Sequence, residues 1–180
     1  MSTRGALRLC FAAFAATLVL SNAGDQAFAE KQLAGATTVW STTGKLQFGG
    51  SGVQNETVDA NGRLAFGPLV VPAVVGDFAM SITYVGGIGD GLIEFAGTYA
   101  LVKPGKPTFL IDPFSLQSQF DAFITDATLK AKLKTSKGVD TVEAELKIRF
   151  EDCTFDSKGK VKCTKPNLSY KGKGGVEPPA

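Results

Sequence analysis

The sequence predicts an all-β protein, an antiparallel meander β-barrel of about eight strands with one amphipathic helix near residues 113–126. Short stretches in which every second residue is apolar recur along the chain, as expected for strands with one dry and one wet face. Glycine is abundant, at 21 residues, and clusters between those stretches, where it marks turns. A two-sheet β-sandwich is the alternative architecture.

Residues 1–29 have the features of a secretory signal peptide. Arg4 and Arg8 precede an apolar run at residues 9–20, which is too short to span a bilayer as a helix. Small-x-small sites end at Ala23 and Ala29, and cleavage after Ala29 is preferred. The sequence therefore predicts an exported protein, periplasmic or secreted, with no integral membrane span after the signal is removed. Residues 30–37 are a loose lead-in to a single domain at residues 38–170.

The first part of that domain, up to residue 75, contains three predicted strand regions. Residues 38–48 are rich in β-branched and aromatic residues and form the first strand. Residues 53–58 are polar and indicate an edge strand, followed by an Asn61-Gly62 hairpin turn. Residues 63–75 contain two prolines, so we expect a short strand and then an extended apolar loop.

A second hairpin and the helix follow. Residues 78–85 and 92–102 alternate in polarity around a glycine-rich turn. Asp112 and Pro113 then match the N-cap and first position of a helix. A helix from residue 113 to residue 126 would carry one apolar stripe, formed by Leu116, Phe120, Phe123, Ile124 and Ala127.

Residues 128–153 form the most regular part of the sequence, a long hairpin with a Lys137-Gly138 turn. Centring the pairing on that turn places Ala131 opposite Ala144 on the dry face. The register is well determined, because a slip of one residue would expose every apolar side chain. The same centring sets lysines of the first strand against glutamates of the second.

Cys153 and Cys163 flank the last predicted turn, at residues 156–159. They are the two cysteines of the mature chain, and their nearly facing positions in a hairpin suit a structural disulfide. After this hairpin, the polar stretch at residues 171–180 is predicted to be a disordered tail.

Composition excludes several classes of function. The formal net charge of +2 gives no electrostatic footprint for nucleic acid. Histidine is absent, which removes Ser-His-Asp and Cys-His catalysis and histidine zinc sites. The sequence therefore predicts a protein that is not an enzyme and has no cofactor or metal.

The arrangement as a whole resembles exported bacterial proteins with lipocalin-like β-barrels. The resemblance covers roughly residues 38–170: a first strand with Trp40, a meander containing Gly97-Thr98-Tyr99, the Asp112-Pro113 helix start and a long alternating hairpin. It implies a barrel fold. It implies no functional residue, because these proteins offer no defined motif to match.

The sequence leaves two hypotheses for function. In the first, the barrel binds a small apolar ligand, since small inward residues leave space that larger ones must fill or line. The candidate lining residues are Trp40, Phe95, Tyr99, Leu116, Phe120, Phe123, Ala131 and Ala144. In the second, the core is filled and the protein is a structural or cell-surface interaction module. The sequence does not indicate the oligomeric state.

Overall fold

The structure is a computed structural model that describes residues 37–70, 74–87, 89–103 and 106–178. The predicted signal peptide and all of the lead-in except Thr37 lie outside these residues. What the sequence indicates about them therefore stays a prediction.

The described residues form eight antiparallel strands that close into a barrel in sequence order, with β1 pairing with β8. The elements are β1 (Thr38–Ser51), β2 (Glu56–Phe66), β3 (Val75–Val85), β4 (Gly91–Lys103), β5 (Lys106–Ile111), α1 (Pro113–Gln117), β6 (Phe123–Ser136), β7 (Val139–Phe155) and β8 (Val161–Val176). This confirms the predicted meander barrel rather than the two-sheet sandwich.

The β6–β7 hairpin has the predicted register. Ala131 pairs with Ala144, and the flanking apolar and charged pairs follow from it. Lys137 and Gly138 have φ angles of 53° and 77°, so both turn residues are left-handed, as a two-residue type I′ turn requires. The local alternation was sufficient to fix this hairpin because one of its faces is buried along its length.

The barrel closes through a segment that was predicted to be a disordered tail. Residues 171–176 belong to β8 and pair with both β1 and β7. The prediction was wrong because glycines take the inward positions and lysines the outward ones. The usual alternation of apolar and polar side chains is therefore missing from the sequence of this segment. A Cβ at Gly44 would lie 2.1 Å from the Lys171 carbonyl oxygen, so glycine permits a close approach of β1 and β8.

The predicted Asn61-Gly62 turn is also wrong, because β2 runs straight through it. Gly62 pairs with Thr42 on one side and Ile82 on the other. A Cβ at Gly62 would lie 2.6 Å from Thr42 Oγ1 and 2.8 Å from the Tyr170 hydroxyl. The glycine therefore makes room for side chains inside the barrel instead of forming a turn.

Helix α1 has five residues and ends at Gln117, well before the predicted end at residue 126. Its start agrees with the sequence, since Asp112 Oδ1 accepts a hydrogen bond from the Phe114 N–H at 2.9 Å. The chain then turns into β6, where Phe123 pairs with Glu151 of β7. Pairing with β7 therefore overrides the helical period of the sequence. No helix among the described residues is long and apolar enough to cross a membrane.

The segment that contains α1 covers strand edges that β5 leaves open. The last register pair between β4 and β5 is Gly97 with Ile111, so no strand of the described chain pairs with the start of β4 on that side. The Glu94 N–H donates to Gln119 Oε1 at 2.9 Å, and Gln119 Nε2 donates back to the Glu94 carbonyl. A glutamine side chain thereby replaces a missing strand partner.

The β7–β8 hairpin extends beyond the barrel as an arm, which we call the hairpin arm (residues 151–165). Cys153 and Cys163 are bonded across it, with an S–S distance of 2.05 Å and a Cα–Cα distance of 4.0 Å. This confirms the predicted disulfide. Phe155 and Val161 pair at the tip of the arm, and both are exposed.

Candidate ligand-binding cavity

A cavity of about 650 Å³ lies along β5, β6, β7 and β8 and is partly open to solvent. Its volume falls within the range of about 300–1,000 Å³ that is typical of small-molecule sites. Its apolar wall consists of inward positions of these strands: Pro107, Phe109, Ala127, Leu129, Ala131, Ala144 and Gly172. Residues that alternate with them also border it: Lys106, Thr108, Thr128, Lys130, Lys132, Glu143, Glu145, Lys171 and Lys173.

Small residues in one row account for this space. The pairings place Ala131 beside Ala144, Ala144 beside Gly172, Gly172 beside Gly44, and Gly44 beside Ala60. These five inward positions span five neighbouring strands, and none carries more than one side-chain carbon. At this level the wall itself cannot fill the interior.

The middle of that row, at Gly172, is covered by a side chain that forms a polar contact inside the barrel. A Cβ at Gly172 would lie 2.1 Å from the Tyr170 hydroxyl, so this side chain lies over the glycine. Thr42 Oγ1 donates its proton to the Gly62 carbonyl at 3.0 Å. The Tyr170 hydroxyl lies 2.7 Å from Thr42 Oγ1 and is therefore the donor in that second hydrogen bond. Burial raises the pKa of Tyr170. Ala131 and Ala144, at the β6–β7 end of the row, border the cavity.

Aromatic residues fill the opposite part of the barrel. The ring of Phe109 lies 4.9 Å from that of Phe78 and 5.6 Å from that of Phe66, and the Phe78 pair is edge-to-face. Tyr99 packs edge-to-face on Phe66 at 5.1 Å. Such pairs contribute about 0.5–1.5 kcal/mol each beyond the burial of their surface. Phe109 belongs to both regions, since it also borders the cavity.

Tyr99 is fixed within this aromatic region by a hydrogen bond. Its hydroxyl donates to the Gly67 carbonyl at 2.6 Å. Burial, with the nearby negative charge of Asp77 as a smaller cause, raises the pKa of Tyr99 to about 12. The side chain is therefore neutral at every physiological pH, and it acts as a structural hydrogen-bond donor.

The structure separates the eight residues predicted to line a cavity. Ala131 and Ala144 border the cavity described above. The core buries four of the others, which the cavity does not touch: Trp40, Phe95, Tyr99 and Leu116. Phe120 is partly buried and packs on Phe150, with ring centroids 4.9 Å apart.

The inward placement of Phe123 was wrong. Phe123 is 66 % exposed at the start of β6, because the helix that would have turned it inward ends at Gln117. The lining residues that sequence reasoning missed include Phe109 and Gly172. The signal for Gly172 was the alternation of lysine and glycine at residues 171–174, which continues the strand pattern.

The wall of the barrel is weakest beside this cavity, between β5 and β6. Thr108 and Lys130 are the one pair in register between these strands among the residues the structure describes. Strand β5 is also the shortest, with six residues, and contains Pro107, which has no backbone N–H. We call this break in the ladder the β5–β6 seam.

The seam has lysines on both sides. Lys106 lies on β5, and Lys130 and Lys132 lie on β6. The sequence of β5 has no acidic residue, and neither does β6 after Asp126. Lys106 and Lys132 form no ion pair within the described chain, while Lys130 acts on Glu145 by longer-range attraction.

The two glutamates that border the cavity are already paired. Glu143 lies 3.2 Å from Lys134 and 3.2 Å from Lys173, and these hydrogen-bonded lysines lower its pKa. Glu145 lies 2.8 Å from Lys147, which lowers its pKa in the same way. The border of the cavity therefore keeps a net positive charge near the seam.

The described residues offer one group that matches metal-ligand spacing, formed by Glu151, Cys153 and Cys163. The two sulfurs are bonded to each other in the disulfide, so the group lacks the thiolates that a metal would need. Glu94, the charged residue inside an apolar stretch of β4, points outward and is exposed. The cavity is therefore the site with the clearest chemical character, an apolar wall with a cationic edge.

Comparison with protein-family models, with curated proteins and with solved structures found no match to this chain.

Proposed function

We propose that this protein is an exported, non-enzymatic β-barrel that binds a small apolar ligand in the cavity along β5 to β8. The observation that carries the proposal is the volume of about 650 Å³ beside Ala131 and Ala144. Native cores hold few voids larger than a water molecule, so a space of this size with an apolar wall suits a ligand.

Two further observations support the other parts of the proposal. A signal-like sequence at residues 1–29 and the Cys153–Cys163 disulfide suit an oxidising compartment outside the cytosol. The absence of histidine, and the lysine, glutamate and aliphatic character of the cavity lining, suit binding better than catalysis.

Titration of the purified protein with a neutral fluorescent probe, N-phenyl-1-naphthylamine, tests the proposal. We expect saturable fluorescence enhancement that Ala144→Leu weakens, because the leucine side chain projects into the cavity. Ala60→Leu is the matched control: Ala60 is buried in the same row but does not border the cavity. Absence of saturable binding to the wild-type protein, or equal weakening by both variants, would contradict the proposal.

The second candidate is a structural or cell-surface interaction module, and the exposed hairpin arm favours it. Phe155 is 77 % exposed at the tip, paired with the exposed Val161. Gel filtration with light scattering distinguishes the candidates. A stable oligomer that Phe155→Ser dissociates would favour the interaction module, whereas a monomer in both proteins would remove this support.

A further inference from the structure

We infer that the ligand of this cavity is a single-chain amphiphile with an anionic head, held with its head at the β5–β6 seam and its tail inside the barrel. This inference rests on the proposed function and adds the ligand class and its orientation. It combines three independent features: the break in the strand ladder, the apolar wall beside it and the lysines along it.

The break in the ladder locates the opening. Residues of both faces of the barrel wall border the cavity, and the cavity is partly open to solvent. The pairings β6–β7 and β7–β8, which also border it, are continuous along that region. Between β5 and β6, Thr108 with Lys130 is the single register pair among the residues that the structure describes. The seam is therefore the place where a ligand meets solvent.

The inner part of the cavity suits a hydrocarbon chain. Phe109, Leu129, Ala131 and Ala144 present aromatic and aliphatic surface, and no ionisable side chain faces inward at these positions. The buried fraction decreases toward the seam, since Phe109 and Ala131 are 9 % and 7 % exposed while Ala144 is 1 % exposed. A tail inserted from the seam thus covers the parts of the core that still contact water.

The outer edge suits an anionic head. Lys106, Lys130 and Lys132 project from β5 and β6, the two strands that border the opening; β5 carries no acid, and β6 carries none after Asp126. On β7, Glu145 pairs in register with Lys130 and Glu143 with Lys132. The nearby carboxylates of Glu143 and Glu145 are engaged by other lysines at 3.2 Å and 2.8 Å. A carboxylate or phosphate head at the seam therefore meets Lys106 and Lys132, which form no ion pair among the described residues, and Lys130, which attracts Glu145 only at longer range.

A matched series of ligands with one tail and different heads tests the inference. Dodecanoate, dodecyl phosphate, dodecanol and dodecylammonium would each be titrated against the probe-loaded protein, with acetate and inorganic phosphate as heads without a tail. We expect both anionic amphiphiles to bind about ten-fold more tightly than dodecanol, because charge-assisted hydrogen bonds are stronger than neutral ones. Dodecylammonium should bind more weakly than dodecanol, and the ions without a tail should not displace the probe.

Two triple variants with the same change in net charge provide the control. Lys106→Gln, Lys130→Gln and Lys132→Gln together should remove most of the preference for an anionic head, measured as the ratio of the dodecanoate and dodecanol affinities of the same protein. The second triple variant neutralises three exposed lysines of the hairpin arm, Lys158, Lys160 and Lys162, and should keep the preference. Raising the ionic strength should reduce the preference in the wild-type protein, since exposed charges are screened.

The outcomes separate this inference from the proposed function. If dodecanoate and dodecanol bind equally well, or if both triple variants lose the preference to the same extent, the head-group assignment is wrong while the cavity remains a binding site. If none of the amphiphiles or the neutral probe binds, both the assignment and the proposed function fail.

Discussion

Replacing Ala144 by leucine gives opposite results for an open cavity and for a filled core. Ala144 borders the cavity of about 650 Å³, and its own side chain is 1 % exposed, so the proposal requires the added carbon atoms to enter that cavity. Each buried CH₂ group contributes about 0.8 kcal/mol, so the three added carbons can stabilise the ligand-free protein by up to about 2 kcal/mol. In a well-packed core the same substitution costs about 1–3 kcal/mol.

The assay is urea unfolding of ligand-free protein, followed by the fluorescence of Trp40. Trp40 is the single tryptophan of the chain and is fully buried, so its emission changes on unfolding. An unchanged slope with a higher midpoint would report a true gain in stability. Ala60→Leu, at a buried position away from the cavity, should lower the midpoint. Destabilisation of similar size in both variants would refute the reasoning, because it would show that the space beside Ala144 is already filled.

Three further predictions concern the framework of the barrel. The raised pKa of Tyr99 predicts that its contribution to stability is constant up to pH about 10 and is lost as the pH rises toward 12, because the unfolded state ionises first. Tyr99→Phe should reduce the alkaline decrease in denaturant titrations, while Tyr170, whose pKa is also raised, keeps part of it. Gln119→Ala should cost about 0.5–1.5 kcal/mol, since it removes two exposed hydrogen bonds to the Glu94 backbone. Ser118→Ala nearby removes one exposed hydrogen bond to the Ser115 carbonyl and should cost less in the same unfolding assay. Replacing Cys153 and Cys163 by serine should raise hydrogen exchange in the hairpin arm and leave the barrel strands protected, because the disulfide lies outside the closed barrel.

The sequence predicted the fold where the alternation is local and complete. The β6–β7 hairpin was assigned with its register because apolar and charged residues alternate along both strands. The disulfide followed from the positions of the two cysteines on either side of a turn. A closed barrel was predicted, but the second part of the strand that closes it, residues 171–176, was taken for a tail, since glycine at positions 172 and 174 gives no apolar signal.

The errors have a common physical cause, which is that distant strands determine local structure. Gly62 suits a turn by its sequence, yet Thr42 and Tyr170 occupy the space beside it and β2 stays extended. The residues after Gln117 have a helical period, yet pairing with β7 draws Phe123 into a strand. Neither contact is visible from the neighbouring residues in the chain.

The candidate site was predicted in part for the same reason. Ala131 and Ala144 were identified because their cross-strand pairing is local to one hairpin. The contribution of Phe109 and the lysines at the seam depends on how β5 and β6 come together, with one register pair between Thr108 and Lys130. That weakness arises from chain closure over a short strand, and no local pattern signals it.

Native mass spectrometry of the protein purified from its own host, followed by organic extraction, tests the central claim most directly. We expect a fraction of the protein to carry additional mass that unfolding releases, and the extract to contain a single-chain amphiphile with an anionic head. If the protein from the host has only the mass of its polypeptide, and the same preparation shows no saturable probe binding, the claim that this barrel is a ligand-binding protein is contradicted.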